Sequence, residues 1–183
     1  MTERHLLIVV CGAGPASDVD QLIAVAHAES WTAHVVATPS ALGFIDTAGI
    51  ETLTGFTVRS DFQPPTTQGG RRLPAVDALI VAPATYNTVN KLAAGIADTY
   101  ALTSIAELIG RGVPAVVVPF VNSALAGRAP FGRAVAALRE EDVRVLFGAE
   151  DGWEPHPPGN GSDRQRLFPW GAAFAAARKL ADR

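Results

Sequence analysis

The stretch "DALIVAPATYNTVNKLAAGIAD" (residues 77–98) joins a buried-strand pattern, a polar turn and a helix. Its first part, "ALIVAP", is continuously apolar, which is typical of a strand covered on both faces. Thr85, Asn87 and Thr88 follow directly. Asn87 or Thr88 can cap the helix that carries Lys91, but three polar residues within four positions exceed what one cap needs. We therefore expect a polar ligand at this strand exit.

The same alternation of strand and helix runs along the whole chain. Apolar runs at residues 6–11, 34–38 and 115–120, and a weaker one at 143–148, predict further strands, and helical patterns occupy residues 17–30, 99–112, 132–141 and 171–183. Alternating elements predict an α/β fold, a three-layer αβα, doubly wound parallel sheet of the Rossmann or flavodoxin-like kind in a single domain. Such sheets bind ligands at the carboxyl ends of their strands. Two stretches rich in Pro and Gly, residues 60–74 and 148–170, read as long loops.

Composition excludes several classes of function. The chain has 183 residues and a net charge of −3 with scattered cations, which argues against nucleic-acid binding. No signal peptide or apolar run of transmembrane length is evident, so we expect a cytoplasmic protein without membrane contact. Cys11 is the single cysteine and no histidine pair has ligand spacing, so we expect no metal site. Charged residues make up only 18%, which fits a buried subunit contact or an Ala-rich composition equally well.

The first two strand exits offer backbone and hydroxyl groups to an anion. In "CGAGPASD" (residues 11–18), amides near Gly12 and Gly14 could hold a phosphate at the helix start. The alternative is a plain tight turn in which Ser17 caps the helix and Asp20 stands at its third position. In "ATPSALGF" (residues 37–44), Ser40, with Thr38 beside it, could bind a phosphate oxygen, and helix capping is the alternative.

The fourth exit, "PFVNSA", places Asn122 just past its strand. A carboxamide can donate and accept, which suits a carboxylate or amide ligand, and an Asx-turn is the alternative. His5 and His34 stand at strand beginnings and His27 on a helix, so structural or solvent roles are expected for them. His156 can reach the site only if its loop folds over.

Together these turns resemble the family of homo-oligomeric flavin-containing cysteine decarboxylases. The resemblance extends over about residues 6–147 and is most specific at residues 76–98. It implies an FMN cofactor at the strand exits and a homotrimer or a multiple of trimers. Residues 1–148 would form the flavin-binding part, and residues 149–183 a loop and C-terminal helix completing the same domain. The motif positions that match are Pro83, Ala84, Thr85, Asn87, Thr88, Lys91, Ala93, Gly95 and Asp98.

The resemblance also assigns the FMN contacts residue by residue. The phosphate would lie near Gly12, Gly14 and Ser17, with Ser40 from the second turn. The isoalloxazine and ribityl groups would be lined by the third turn, and Thr38 is a further candidate. The third-turn residues are Ala84, Thr85, Asn87 and Thr88.

Departures from the family pattern fall on the positions that carry the chemistry. The stretch "TTQGGRRLPAVD" (residues 66–77) lacks the family's catalytic histidine, and no C-terminal cysteine is present. "PFVNSALA" keeps Asn122 but neither Met nor the Trp of the family motif, Ala13 replaces a Ser, and Tyr86 replaces an Ala close to the expected ligand.

The resulting expectation is an FMN flavoprotein that acts on a small carboxylate or thiol substrate by flavin-dependent redox or decarboxylation chemistry. Asn122 would orient that substrate. Three alternatives stay open: another small substrate with a base such as His156, a non-catalytic or regulatory subunit that can join a homologue in a mixed oligomer, and an enzyme similar to flavin prenyltransferases.

Overall fold

A computed structural model describes residues 3–62 and 75–183 of the chain. The first predicted loop (residues 60–74) and the histidine-free stretch of residues 66–77 therefore lie largely outside the described residues. Within the described ranges, the helices fall short of the length and hydrophobicity that a membrane crossing requires.

Five parallel strands form one sheet: β1 (Arg4–Val10), β2 (Trp31–Ala37), β3 (Ala78–Ala84), β4 (Ala115–Pro119) and β5 (Arg144–Val145). Their order across the sheet is β2-β1-β3-β4-β5. The register aligns Ile8 of β1 with Val35 of β2 and with Ile80 of β3. This is the strand order of flavodoxin-like sheets, in which the order reverses between β1 and β3. The predicted fold class is confirmed.

Helices cover both faces of the sheet and give it three layers. Alternate residues of β1 serve the two sides, since Leu6, Ile8 and Val10 pack in one core cluster and Leu7 and Val9 in the other. The first cluster receives α1, α2 and α8, and the second receives α3, α4 and α6. The helices are α1 (Asp20–Ala28), α2 (Thr47–Thr54), α3 (Tyr86–Ala93), α4 (Tyr100–Gly110), α5 (Ser123–Ala126), α6 (Ala129–Glu140), α7 (Gly161–Gln165) and α8 (Trp170–Ala181).

Several elements differ from the sequence prediction in extent. β2 begins at Trp31, three residues before the predicted start, and β5 has only two residues. α2 was not predicted, because Ile50 is its only buried residue and an apolar stripe is therefore missing. Its start is set by Asp46, whose side chain accepts a hydrogen bond from the Gly49 amide at 3.0 Å.

The last predicted loop is a structured segment rather than an open one. It contains a 3-10 turn at Ala149–Asp151 and the short helix α7. Trp153 and Phe168 are buried in the first core cluster, as are Trp170 and Phe174 of α8. This segment therefore packs against the same core as the sheet.

Candidate functional site

Four strand exits meet at the carboxyl edge of the sheet. The Cys11 amide donates to the Pro83 carbonyl at 3.1 Å, which joins the first exit to the third. The Thr38 amide donates to Val10 at 2.9 Å, and the Phe120 amide donates to Ala84 at 2.8 Å. These bonds place the four predicted turns side by side at the topological switch of the sheet.

Gly12 is required by the close approach of the second turn. A Cβ atom at Gly12 would lie 2.8 Å from the backbone oxygen of Ser40 and 2.9 Å from its Cβ. Contacts that short do not occur, so any side chain at this position would push the two turns apart. The two predicted phosphate contacts, Gly12 and Ser40, are therefore direct neighbours, and both remain open to solvent at least in part.

The first turn differs from the expected capping pattern. Pro15 begins a 3-10 helix (Gly14–Asp18), so Ser17 lies inside that helix and does not cap α1. Val19 occupies the N-cap of α1 without a side-chain bond, and the capping alternative is wrong. The exposed Ser17 hydroxyl has two acceptors for its one hydrogen, Asp18 Oδ1 at 3.0 Å and the Gly14 carbonyl at 3.3 Å.

A residue from the C-terminal part of the chain lies across this turn. Gln165 Nε2 is 3.1 Å from Ser17 Oγ and donates to Asp18 Oδ2 at 3.2 Å. A Cβ on Gly14 would lie 2.7 Å from Gln165 Oε1. The Gln165 carboxamide therefore ties the C-terminal part of the chain to the first turn.

The second turn is also a 3-10 helix, at Pro39–Gly43. Thr38 holds its N-cap position without a side-chain bond, and Ser40 lies within the turn, so the expectation that Ser40 caps a helix is wrong. Proline in the first turn starts this helix, because its fixed φ suits that position. The Ser40 hydroxyl makes no hydrogen bond within the described ranges and is exposed.

At the third exit the cap is Thr85, not Asn87 or Thr88 as predicted. Thr85 keeps an extended backbone, and its Oγ1 accepts from the Thr88 amide at 3.2 Å. Thr88 is 5% exposed, and its Oγ1 lies 3.0 Å from that of Thr85. Asn87 is exposed, and its carboxamide has no hydrogen-bond partner among the described residues. Because the fold does not use Asn87, it is available to a ligand.

Other residues around this turn are held by contacts within the fold. Ala84 is fully buried, and the Lys91 ammonium donates to Asp98 at 2.6 Å, which ties the end of α3 to the segment before α4. The Lys91 hydrogen bond lowers the pKa of the Asp98 carboxyl. The Tyr86 ring stacks on Phe131 of α6 at 5.7 Å.

Cys11 lies under the same turn and is inert. Burial raises the pKa of its thiol, although hydrogen bonding with Thr88 and Thr85 opposes that shift. A buried, protonated thiol is a small hydrophobic side chain rather than a nucleophile.

Asn122 caps the short helix α5 at the fourth exit. Its Oδ1 accepts a hydrogen bond from the Leu125 amide at 2.9 Å. This is the local side-chain bond that the Asx-turn alternative predicts. The carboxamide NH₂ group is left to donate to a ligand. The cap fixes the side chain, so Asn122 can serve both roles at once.

The C-terminal segment folds over this exit and brings His156 to Asn122. The His156 amide donates to the Val121 carbonyl at 3.4 Å, and the Ser123 amide donates to the His156 carbonyl at 2.8 Å. The His156 ring lies 4.9 Å from the Phe120 ring. Sequence reasoning named His156 only on the condition that its loop folds over, and the structure meets that condition.

Trp153 anchors the segment. Its Nε1 donates to the Pro119 carbonyl at 2.8 Å, and its ring packs edge-on against Phe168 at 5.2 Å. The Arg164 guanidinium lies over the Trp153 ring at 4.1 Å, and its Nε is buried with no partner among the described residues. A cavity of about 310 Å³ opens beside this anchor. It is lined by Glu154, Pro155, His156, Pro157, Asn160, Asp163, Arg164 and Leu167.

The remaining histidines lie away from this edge. His5 Nδ1 is 3.1 Å from His34 Nε2, and the His34 ring packs on Phe56 at 4.3 Å. Burial lowers the pKa of His34 to about 4, and the charge of His5 adds to the effect, so His34 is neutral at pH 7. His27 is exposed on α1. Across the two described ranges, no three His, Cys, Asp or Glu side chains are grouped to hold a metal ion.

Comparison with known proteins places this geometry in a family. The family model described as Flavoprotein matches residues 1–158. The chain belongs to the flavoprotein family. This confirms the resemblance that the motif at residues 76–98 indicates. A comparison with curated protein sequences finds no match.

Solved structures of similar proteins share the fold over nearly the whole chain. The chain is similar to TvaF, an FMN-dependent cysteine decarboxylase from thioviridamide biosynthesis, with 25% identity, a TM-score of 0.72 and full coverage (100%) of both chains. It is also similar to the FMN-dependent cysteine decarboxylase SpaF, at 27% identity, a TM-score of 0.68 and coverage of 93% and 98%. The FMN-binding protein AtHal3 is 21% identical, with a TM-score of 0.68 and coverage of 93% and 98%, and this likeness shows the fold.

Proposed function

We propose that this flavoprotein binds FMN at the carboxyl edge of its sheet and acts there on a small carboxylate or thiol substrate. The chemistry would be flavin-dependent oxidation or decarboxylation, in which the flavin is the electron acceptor. We base this on the meeting of four strand exits at one edge and on Asn87 at the third exit, an exposed carboxamide without a hydrogen-bond partner among the described residues. Family membership and the FMN-dependent neighbours TvaF and SpaF support the choice of cofactor.

The residues at the edge fit FMN. Gly12 and Gly14 let Ser40 and Gln165 approach the first turn more closely than a side chain would allow, and the Ser17 and Ser40 hydroxyls are exposed there. These groups would hold the phosphate. Ala84 and the capped turn of Thr85 and Thr88 would line the ribityl and ring system, with Thr38 at the neighbouring exit.

The protein is expected to purify yellow, or to become yellow when FMN is added. Heat release followed by mass spectrometry should identify FMN rather than FAD. Asn87→Ala should weaken FMN binding by about 1–3 kcal/mol, because a polar edge of the buried flavin loses its partner. Asn90→Ala is the matched control, since the Asn90 amide already donates to the Tyr86 carbonyl at 2.7 Å. A colourless protein that takes up no added FMN would refute the proposal.

The assembly is expected to be a homotrimer or a multiple of trimers. Large apolar side chains remain exposed on the protomer, among them Phe44 (46%), Leu53 (53%) and Ile96 (44%), and the chain is poor in charge. Light scattering and native mass spectrometry measure the state directly. A monomer at micromolar concentration contradicts this expectation. Co-expression with a histidine-bearing homologue tests the mixed oligomer.

A further inference from the structure

We propose that His156 is the proton acceptor of this site and that its Nε2 atom receives the proton from a substrate bound beside Asn122. This inference rests on the proposed function, because it assumes a small substrate at the carboxyl edge of the sheet. It assigns a base to a site for which residues 66–77, before β3, contain no histidine.

Backbone pairing holds His156 against Asn122. The two hydrogen bonds at this point form a parallel bridge between Asn122 and His156. Residues paired in this way lie about 4.8 Å apart, and their side chains project from the same face. A molecule that contacts the free NH₂ group of Asn122 is therefore within reach of the His156 ring.

A hydrogen bond fixes the tautomer of the ring. His156 Nδ1 lies 2.9 Å from the Pro157 carbonyl oxygen, which can only accept, so Nδ1 carries the hydrogen. In the neutral imidazole Nε2 then holds the basic lone pair. No atom in the described part of the chain forms a hydrogen bond with Nε2. The fold thus presents a base whose proton-accepting atom is uncommitted.

Gly161 lies beside the Nε2 edge of the His156 ring. A Cβ there would be in van der Waals contact with His156 Cε1 at 3.5 Å and with Nε2 at 3.8 Å, so the glycine leaves this edge less covered than a side chain would. The Phe120 ring packs beside the His156 ring, with 4.9 Å between their centroids. His156 is half-buried and lines the cavity of about 310 Å³.

Charged side chains line the same cavity. They are Glu154, Asp163 and Arg164, and the Arg164 guanidinium suits a substrate carboxylate. For a thiol substrate, the S–H bond breaks, the electron pair stays on sulfur, and the proton moves to Nε2.

Histidine ¹⁵N NMR on the FMN-loaded protein tests this transfer. The probe is mercaptoacetate, which has a thiol and a carboxylate, at slightly alkaline pH where an ordinary histidine is neutral. Saturation should move the His156 ring signals from the neutral Nδ1–H form to the imidazolium form, while the His27 signals stay in place. Methylthioacetate lacks the S–H hydrogen and should leave His156 neutral.

His156→Gln assigns the signals and supplies a second measurement. The variant should bind FMN as the parent does, yet bind mercaptoacetate about tenfold more weakly or worse, because a charge-assisted hydrogen bond is lost. His27→Gln is the matched control and should change neither affinity. The spectra of the unsubstituted protein keep the test valid if His156→Gln folds poorly.

Three results would overturn the inference while FMN binding stands: a neutral His156 at saturation, the same shift with methylthioacetate, or no binding of mercaptoacetate in the millimolar range. A protein that takes up no FMN overturns the proposed function instead. The two failures are therefore distinguishable in one preparation.

Discussion

Trp153→Ala is expected to lower the free energy of unfolding by about 3–5 kcal/mol, the usual range for truncating a buried large aromatic side chain. Trp153 is 4% exposed, and its ring contacts Phe168 and the Arg164 guanidinium. Its Nε1–H also satisfies the Pro119 carbonyl at the end of β4. Because the ring packs in the same core cluster as Leu6 and Ile8, we expect the whole protein to be destabilised.

Urea denaturation at a fixed protomer concentration measures this loss, and hydrogen exchange shows where protection disappears. Trp153→Phe keeps most of the ring contacts and leaves the Pro119 carbonyl unpaired, so it should cost about 1–3 kcal/mol. Leu167→Ala is the control on the same segment, since Leu167 is 67% exposed and should change stability by less than about 0.5 kcal/mol. If Trp153→Ala unfolds like the parent protein, Trp153 does not anchor the segment.

The central strands could be predicted because both faces of a parallel sheet are covered. Burial on two sides selects an unbroken apolar run, as in Leu79, Ile80 and Val81 of β3, all fully buried. The edges of the sheet carry less of this signal. β5 pairs with β4 through two residues only, and β2 begins at Trp31, ahead of its clearest apolar run.

The helix start at the third exit could not be assigned from sequence. Thr85, Asn87 and Thr88 are all good caps, and the choice depends on where the preceding strand ends. The pairing of β3 with β4 shifts register between Val81 and Ala84, close to this strand end, and such an irregularity leaves no local sequence pattern. The residue types at the site were therefore predictable, but which of them caps the helix and which is left to a ligand was not.

The contact between His156 and Asn122 depends on long-range packing. Trp153 lies three residues before His156, and Pro119 lies three residues before Asn122. The hydrogen bond from Trp153 Nε1 to the Pro119 carbonyl holds these two parts of the chain together. No periodicity links the two positions, and the Pro- and Gly-rich composition of the segment indicates only a loop. The useful signal is a large aromatic residue inside such a loop, since Trp is rarely left in solvent.

The protein on its own is expected not to decarboxylate phosphopantothenoylcysteine or C-terminal peptidyl cysteine at a useful rate. Residues 66–77 contain no histidine, although the family resemblance implies one there, and a general base typically contributes about 10²–10⁴-fold to the rate. Asn122 can orient a carboxylate through its NH₂ group but cannot take up a proton.

His156 is not expected to restore that reaction, because it reaches the site from the other end of the chain. It is held beside Asn122 by the C-terminal segment, whereas the missing histidine would precede β3. A base must lie within hydrogen-bonding distance of the proton that it accepts. His156 therefore suits a substrate that is bound differently from the substrates of those decarboxylases. The test incubates the FMN-loaded protein with each thiol and follows the mass change of CO₂ loss, with a histidine-bearing homologue as the positive control. Efficient turnover by the protein alone would make the missing histidine dispensable and this prediction wrong.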